Sequence, residues 1–93
     1  MYKFYLISFD ISDDKIRRKV VKILEANATR VQKSVFEAWL NEKEYVKVKS
    51  TIDSLIDPLC DSVRYYLFCK NCIDNIQVSG IGQYINYEDL IIV

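Results

Sequence analysis

The apolar residues of this chain change period along its length, and that alternation restricts the fold more than any other feature. Residues Tyr2 to Ile11 are rich in aromatic and β-branched side chains and read as a strand. Ser12 then stands as a helix N-cap, with Asp13 and Asp14 suited to the positive end of a helix dipole. From Asp13 to Ala26 the period becomes helical, because Ile16, Val20, Ile23 and Leu24 recur on one face. Thr29 to Leu40 returns to strand, with Val31, Val35, Phe36, Trp39 and Leu40, and is long enough for a hairpin turning at Lys33-Ser34. Asn41, followed three residues later by Glu44, has the form of a capping box. Behind it, Tyr45, Val48, Ile52, Leu55 and Ile56 give a second helix its buried stripe, which Asp57-Pro58 ends. Ser62 to Phe68 is another strand, Cys69 to Asn75 a turn or short helical loop, and Ile76 to Val78 a further short strand.

The order β-α-β-β-α-β places the chain in the α+β class, as a ferredoxin-like sandwich with two helices on one face of a four-stranded antiparallel sheet. An irregular α+β meander is the alternative. At 93 residues the chain is one domain, spanning 1–93. A domain of this size buries only about 60–65% of its unfolded surface, so oligomerisation is expected to support it. Beyond the bend bracketed by Gly80 and Gly82, the chain ends on the apolar run Leu90-Ile91-Ile92-Val93. An apolar terminal strand must pair with its own sheet or a partner's. We therefore expect the segment 76–93 to add an extra C-terminal strand, exchanged with or added to a second protomer in a homodimer.

The composition excludes several chemistries. There is no histidine, which removes the commonest general base and the commonest imidazole metal ligand together. Catalysis must then use carboxylates, Lys, Tyr, Ser or Cys. Three cysteines, and a strand-like run directly after Lys3 where a signal peptide would have its apolar core, favour a reducing cytoplasm. The longest apolar runs fall short of the roughly 20 residues that cross a bilayer, so no membrane role is expected. The 13 basic and 13 acidic residues balance. Nucleic-acid binding therefore requires local clustering of the basic side chains.

Five stretches carry a resemblance. They are Phe9-Asp10-Ile11 at the end of the first strand, Lys15-Ile16-Arg17-Arg18-Lys19-Val20-Val21 on the first helix, Arg30-Val31-Gln32-Lys33-Ser34-Val35-Phe36-Glu37, Asp61-Ser62-Val63-Arg64-Tyr65-Tyr66, and Cys69-Lys70-Asn71-Cys72. Together, in order and over nearly the whole chain, they resemble the Cas-two family of small CRISPR-associated proteins. The R-V-Q-x-S-V-F-E stretch is the most specific. The family usually has Tyr before the aspartate, where this chain has Phe9, so no hydroxyl acts there. The resemblance implies a ferredoxin-like homodimer and a metal-dependent endonuclease acting on single-stranded RNA or duplex DNA. It implies a place in spacer acquisition and antiviral defence beside the Cas-one integrase. It also implies that Asp10 sits at the dimer cleft and binds Mg²⁺ or Mn²⁺.

The residues support these roles unequally. One carboxylate is a poor metal site, but two Asp10 side chains related by a two-fold axis suit Mg²⁺, which takes one or two carboxylates and keeps several waters. Asp10 could equally be part of the strand-to-helix turn. With no histidine available, water activated by the metal is the expected nucleophile, with activity rising toward alkaline pH. Arg17 and Arg30 are candidates to clamp a phosphate, or to form salt bridges with Asp13 or Glu37. Arg18, Lys19 and Lys33 are candidate backbone contacts, although Lys15, Arg18, Lys19 and Lys22 also read as a solvated helix face. Ser34 either meets a phosphate or supports its turn. Phe36 either stacks on a base, a contact worth about 1–3 kcal/mol, or packs in the core. Cys69 and Cys72 make a C-x-x-C that is incomplete as a zinc site and reads as structural. Three functions compete: a metal-dependent endonuclease, a non-catalytic dimeric scaffold joining the integrase to duplex DNA, and a toxin-like ribonuclease of the VapD type.

Overall fold

The computed structural model describes residues 1–79. Strand β1 (Lys3–Asp10) leads into helix α1 (Asp14–Asn27), then hairpin strands β2 (Thr29–Gln32) and β3 (Val35–Leu40), helix α2 (Glu42–Leu55), strand β4 (Ser62–Phe68) and the short helix α3 (Lys70–Asp74). The sheet order is β2-β3-β1-β4 with antiparallel pairing throughout. That order, with a helical crossover between β1 and β2 and another between β3 and β4, is the ferredoxin-like arrangement.

Local chemistry places the element ends. The hairpin turns at Lys33-Ser34 as expected. Asn41 caps α2, its side chain accepting from the Glu44 N–H at 2.7 Å while the Glu44 carboxylate accepts from the Asn41 N–H at 3.0 Å. The cap of α1 corrects the expectation for Ser12. Asp13 takes that position, its carboxylate accepting from the Ile16 N–H at 2.9 Å. Asp and Ser cap about equally well, so the choice rests on where the helix leaves the strand. The hydrogen bond from the Ile16 N–H, first among the causes, holds the Asp13 carboxyl below its ordinary value.

Strand alternation divides the sheet into two faces. Tyr5, Ile7 and Phe9 of β1 and Phe36, Ala38 and Leu40 of β3 face the helices and pack on Val20, Leu24, Val48 and Ile52. Each such side chain contributes about 1.5–3 kcal/mol relative to exposure. On the opposite face Phe4 packs with Trp39, Phe68 and Ile73 of α3. Its ring lies 5.3 Å from Trp39 and 6.0 Å from Phe68 between centroids.

Ile76 to Val78 form no strand, against expectation. The Ile76 N–H donates to the Ile73 carbonyl at 3.2 Å, and Ile76 packs on the Phe4 cluster. Its backbone thus continues the last turn of α3, where a ladder would need it free. The bend at Gly80 and Gly82 and the terminal Leu90–Val93 run lie outside the described residues.

Candidate functional site

The end of β1 carries the site. Asp10 is the last residue of β1 and is exposed. It belongs to the series Leu6, Ser8, Asp10, which alternates away from the helices. The register pairs Asp10 with Ser62 and Ser8 with Arg64. Asp10 therefore borders a small polar pocket of about 260 Å³ that includes Ser62, Arg64 and Tyr66.

Asp10 also borders a larger groove of about 790 Å³ between the start of α1 and the β2–β3 turn. Five cationic side chains line it, Arg17, Arg18, Lys22, Arg30 and Lys33, against two carboxylates, Asp10 and Glu25. A chain of zero net charge thus concentrates positive charge in one concavity. The local clustering that phosphate binding requires is present.

The two predicted arginines are held by backbone carbonyls. Arg17 donates from Nη1 to the Ile11 carbonyl at 2.9 Å and pairs through Nη2 with Asp14. It ties the first turn of α1 to the residue after Asp10. Its ion-pair partner is Asp14, one residue beyond the expected Asp13. Arg30 donates from Nε and Nη2 to the Lys33 carbonyl, at 3.1 and 2.6 Å. Its guanidinium carbon lies 5.6 Å from the centre of the Phe36 ring. The β2–β3 turn and the ring beneath it therefore fix the Arg30 head group in the groove wall.

The other predicted residues divide. Arg18, Lys33 and Ser34 line the groove with Asp10. The Ser34 backbone carbonyl accepts from the Phe9 N–H at 3.1 Å and ties the turn to β1. Lys19 is exposed on α1 but does not line the groove. Phe36 is fully buried, with its ring 6.3 Å from that of Phe9. The core role holds, and base stacking by Phe36 is corrected, because its position opposite Ile7 and Arg30 turns it toward the helices.

Sequence reasoning passed over Lys22 as part of a solvated face, and it missed Arg64 beside Asp10. Helical spacing from Arg18 to Lys22, one turn apart, was a usable signal for the first. For Arg64 there was none, because only the β1–β4 register brings it to Asp10.

The resemblance implies a divalent ion at this site. Among the described residues, no three His, Cys, Asp or Glu side chains converge to hold an ion. A closed protein cage is therefore not what this donor set builds. One exposed carboxylate is a sparse donor set, and it suits Mg²⁺, which keeps several waters, only when a second carboxylate joins it. Asp10 is the residue that would hold it.

Residues 1–76 match the family model described as CRISPR associated protein Cas2. The chain is 41% identical over 80 residues to a protein of Chloroflexus aurantiacus named CRISPR-associated endoribonuclease Cas2 1, covering 85% of this chain and 86% of that one. Among solved structures it is similar to Streptococcus pyogenes Cas2, with a TM-score of 0.73 and 32% identity over 83% of this chain and 99% of that one. It is also similar to a chain of a partial Cas6-RT-Cas1–Cas2 complex, with a TM-score of 0.71 and 28% identity over 89% of this chain and 94% of that one. The ferredoxin-like fold, the sequence match over most of the chain and the Asp10 strand end agree, and the chain belongs to the CRISPR-associated Cas2 family.

Proposed function

We propose that this protein is a metal-dependent endoribonuclease that cleaves single-stranded RNA and takes part in spacer acquisition and antiviral defence. The observation that carries this reading is the shared groove: Asp10 opens onto the concavity in which the basic side chains gather. The names of the relatives support the choice of RNA.

Each residue has a distinct task. Arg30 is held by the Lys33 carbonyl, which leaves its other N–H donors for a phosphate oxygen. Arg18, Lys22 and Lys33 neutralise neighbouring phosphates, so binding weakens steeply with salt. Arg17 is a positioning residue that secures the turn after Asp10. Asp10 holds Mg²⁺ or Mn²⁺. When bound, the ion polarises a phosphoryl oxygen and activates water for attack on phosphorus.

A second copy of the chain completes the site in this reading. The polar end of the helix-free sheet face, where Asp10 lies with Ser8 and Arg64, is where a two-fold partner would bring its own Asp10. The protein works in the cytoplasm. No helix of the described residues is long and apolar enough to cross a membrane.

A second reading draws on the similarity to a chain solved in a Cas1–Cas2 complex. In it the dimer is a scaffold for the Cas-one integrase and duplex DNA, and Asp10 has no chemical task. The toxin-like alternative is set aside, because the matching family is Cas2.

The deciding experiment measures cleavage of labelled single-stranded RNA and duplex DNA by wild type and Asp10→Ala, with Mg²⁺, Mn²⁺ or EDTA, from neutral to alkaline pH. We expect RNA cleavage that needs metal, rises with pH and disappears in the variant while the dimer persists. Wild type that cuts nothing, with DNA and integrase binding unchanged in the variant, would establish the scaffold instead.

A further inference from the structure

The two thiols of the C-x-x-C motif lie outside the groove and have no part in the proposed cleavage. Cys69 is the residue before α3, and Cys72 is within it. Their sulfurs are 3.3 Å apart, and both residues are exposed. The three-residue spacing across the first turn of a helix brings the two sulfurs into reach, so that a disulfide closes with little backbone movement. The Cys69 sulfur also accepts the Cys72 backbone N–H at 3.4 Å.

We infer that Cys69 and Cys72 form a redox-active dithiol that exchanges with small-molecule disulfides, with Cys69 as the attacking sulfur and Cys72 as the resolving one. The Cys69 thiolate attacks one sulfur of a disulfide RSSR, forming a mixed disulfide and releasing one RS⁻. Cys72 then loses its proton, and its sulfur attacks the Cys69 sulfur and releases the second RS⁻. Two electrons pass from the protein dithiol to the reagent, and two equivalents of RSH result after protonation.

The asymmetry between the sulfurs has a physical cause. The hydrogen bonds from the Cys72 backbone and side chain favour the Cys69 thiolate and lower its pKa. The same pairing, together with repulsion from the Cys69 charge, raises that of Cys72. The third cysteine is an internal control. Cys60 is also exposed, but its thiol is hydrogen-bonded to the Asp57 carboxylate at 3.0 Å, which opposes ionisation and raises its pKa. Exposure alone therefore does not set the reactivity.

The location gives the exchange a structural consequence. Ile73, next to Cys72, is the α3 residue that packs on Phe4, and its N–H donates to the Cys69 carbonyl at 3.1 Å. Closing the bridge ties together the turn that seats Ile73.

The test uses the purified full-length chain. A short pulse of iodoacetamide at neutral pH, followed by peptide mapping, compares the three cysteines. We expect Cys69 to be alkylated about tenfold faster than Cys60. In glutathione disulfide, wild type and Cys60→Ser should lose the mass of two thiol hydrogens, with the bridge mapping to Cys69–Cys72. Cys72→Ser should instead stop as a glutathione adduct on Cys69. Equal alkylation of Cys60 and Cys69, or separate adducts on Cys69 and Cys72 of the wild type without a bridge, would overturn the inference.

Discussion

The two ends of β1 differ sharply although only five residues lie between Phe4 and Asp10. At the first, Phe4 is almost wholly buried against Trp39, Phe68 and Ile73, so α3 and two neighbouring rings cover that end of the face opposite α1 and α2. At the second, Asp10 is exposed and bordered by polar and charged side chains. Both residues point to the same side of the sheet. The difference comes from what the neighbouring strands supply: Trp39 and Phe68 opposite Phe4, but Ser62 opposite Asp10. One strand thus anchors the fold at one end and presents chemistry at the other.

This contrast can be broken most strongly at Asp10. Replacement by Ala should lower RNA cleavage by about a thousandfold, several kcal/mol of lost transition-state stabilisation, while leaving the melting temperature unchanged. A parallel fall in both would mean that the charged end is structural too. Phe4→Ala should do the reverse. Urea unfolding should show a loss of about 3 kcal/mol or more, with cleavage per folded molecule retained.

Arg30→Ala sharpens the comparison more gently. Fluorescence titration with single-stranded RNA should show weaker binding, and the slope of log affinity against log salt should shrink by about 0.7 for one lost phosphate contact. An unchanged slope would confine Arg30 to holding its turn.

Asp13, close to the charged end, offers a test by pH. Its folded-state pKa lies below the ordinary 3.8 because the carboxylate caps α1. A depressed carboxylate pKa contributes stability above the unfolded value and loses it as pH falls through the folded one. Melting temperatures of Asp13→Asn should therefore depend less on pH than those of wild type below about pH 4, since Asn caps without titrating. Parallel curves would remove Asp13 as a source of acid sensitivity.

The smallest effect is expected midway along the strand. Tyr65, opposite Ile7, has a buried hydroxyl with no hydrogen-bond partner among the described residues, and burial raises its pKa. Its ring packs edge-on to Tyr45, with the Lys49 ammonium 5.8 Å from its centre. Tyr65→Phe keeps those contacts and removes the orphaned hydroxyl, so it should raise stability by about 1 kcal/mol in urea unfolding. A loss of stability would show that the hydroxyl is satisfied in solution.

The sequence by itself determined the elements. The helix stripes of α1 and α2, the capping box at Asn41, the stop at Asp57-Pro58 and the limits of β4 are set by residues within a turn or two of each other, so they are readable locally. The Ser12 cap failed because two good caps stood side by side, and the choice of Asp13 depended on where the helix left the strand. Ile76 to Val78 failed because an apolar triplet carries no record of whether its backbone groups are already in use. Asp10 was legible as a carboxylate interrupting an apolar strand, and Arg30 as the charge that opens the R-V-Q-x-S-V-F-E stretch of the resemblance. What only the tertiary structure decided is which charges share a concavity and which aromatic rings are covered. Strand pairing set Arg64 beside Asp10 and turned Phe36 inward, and the crossover of α1 brought Arg18 and Lys22 to the β2–β3 turn. These contacts join residues far apart in the chain. Their energies depend on register and packing, which no local pattern encodes.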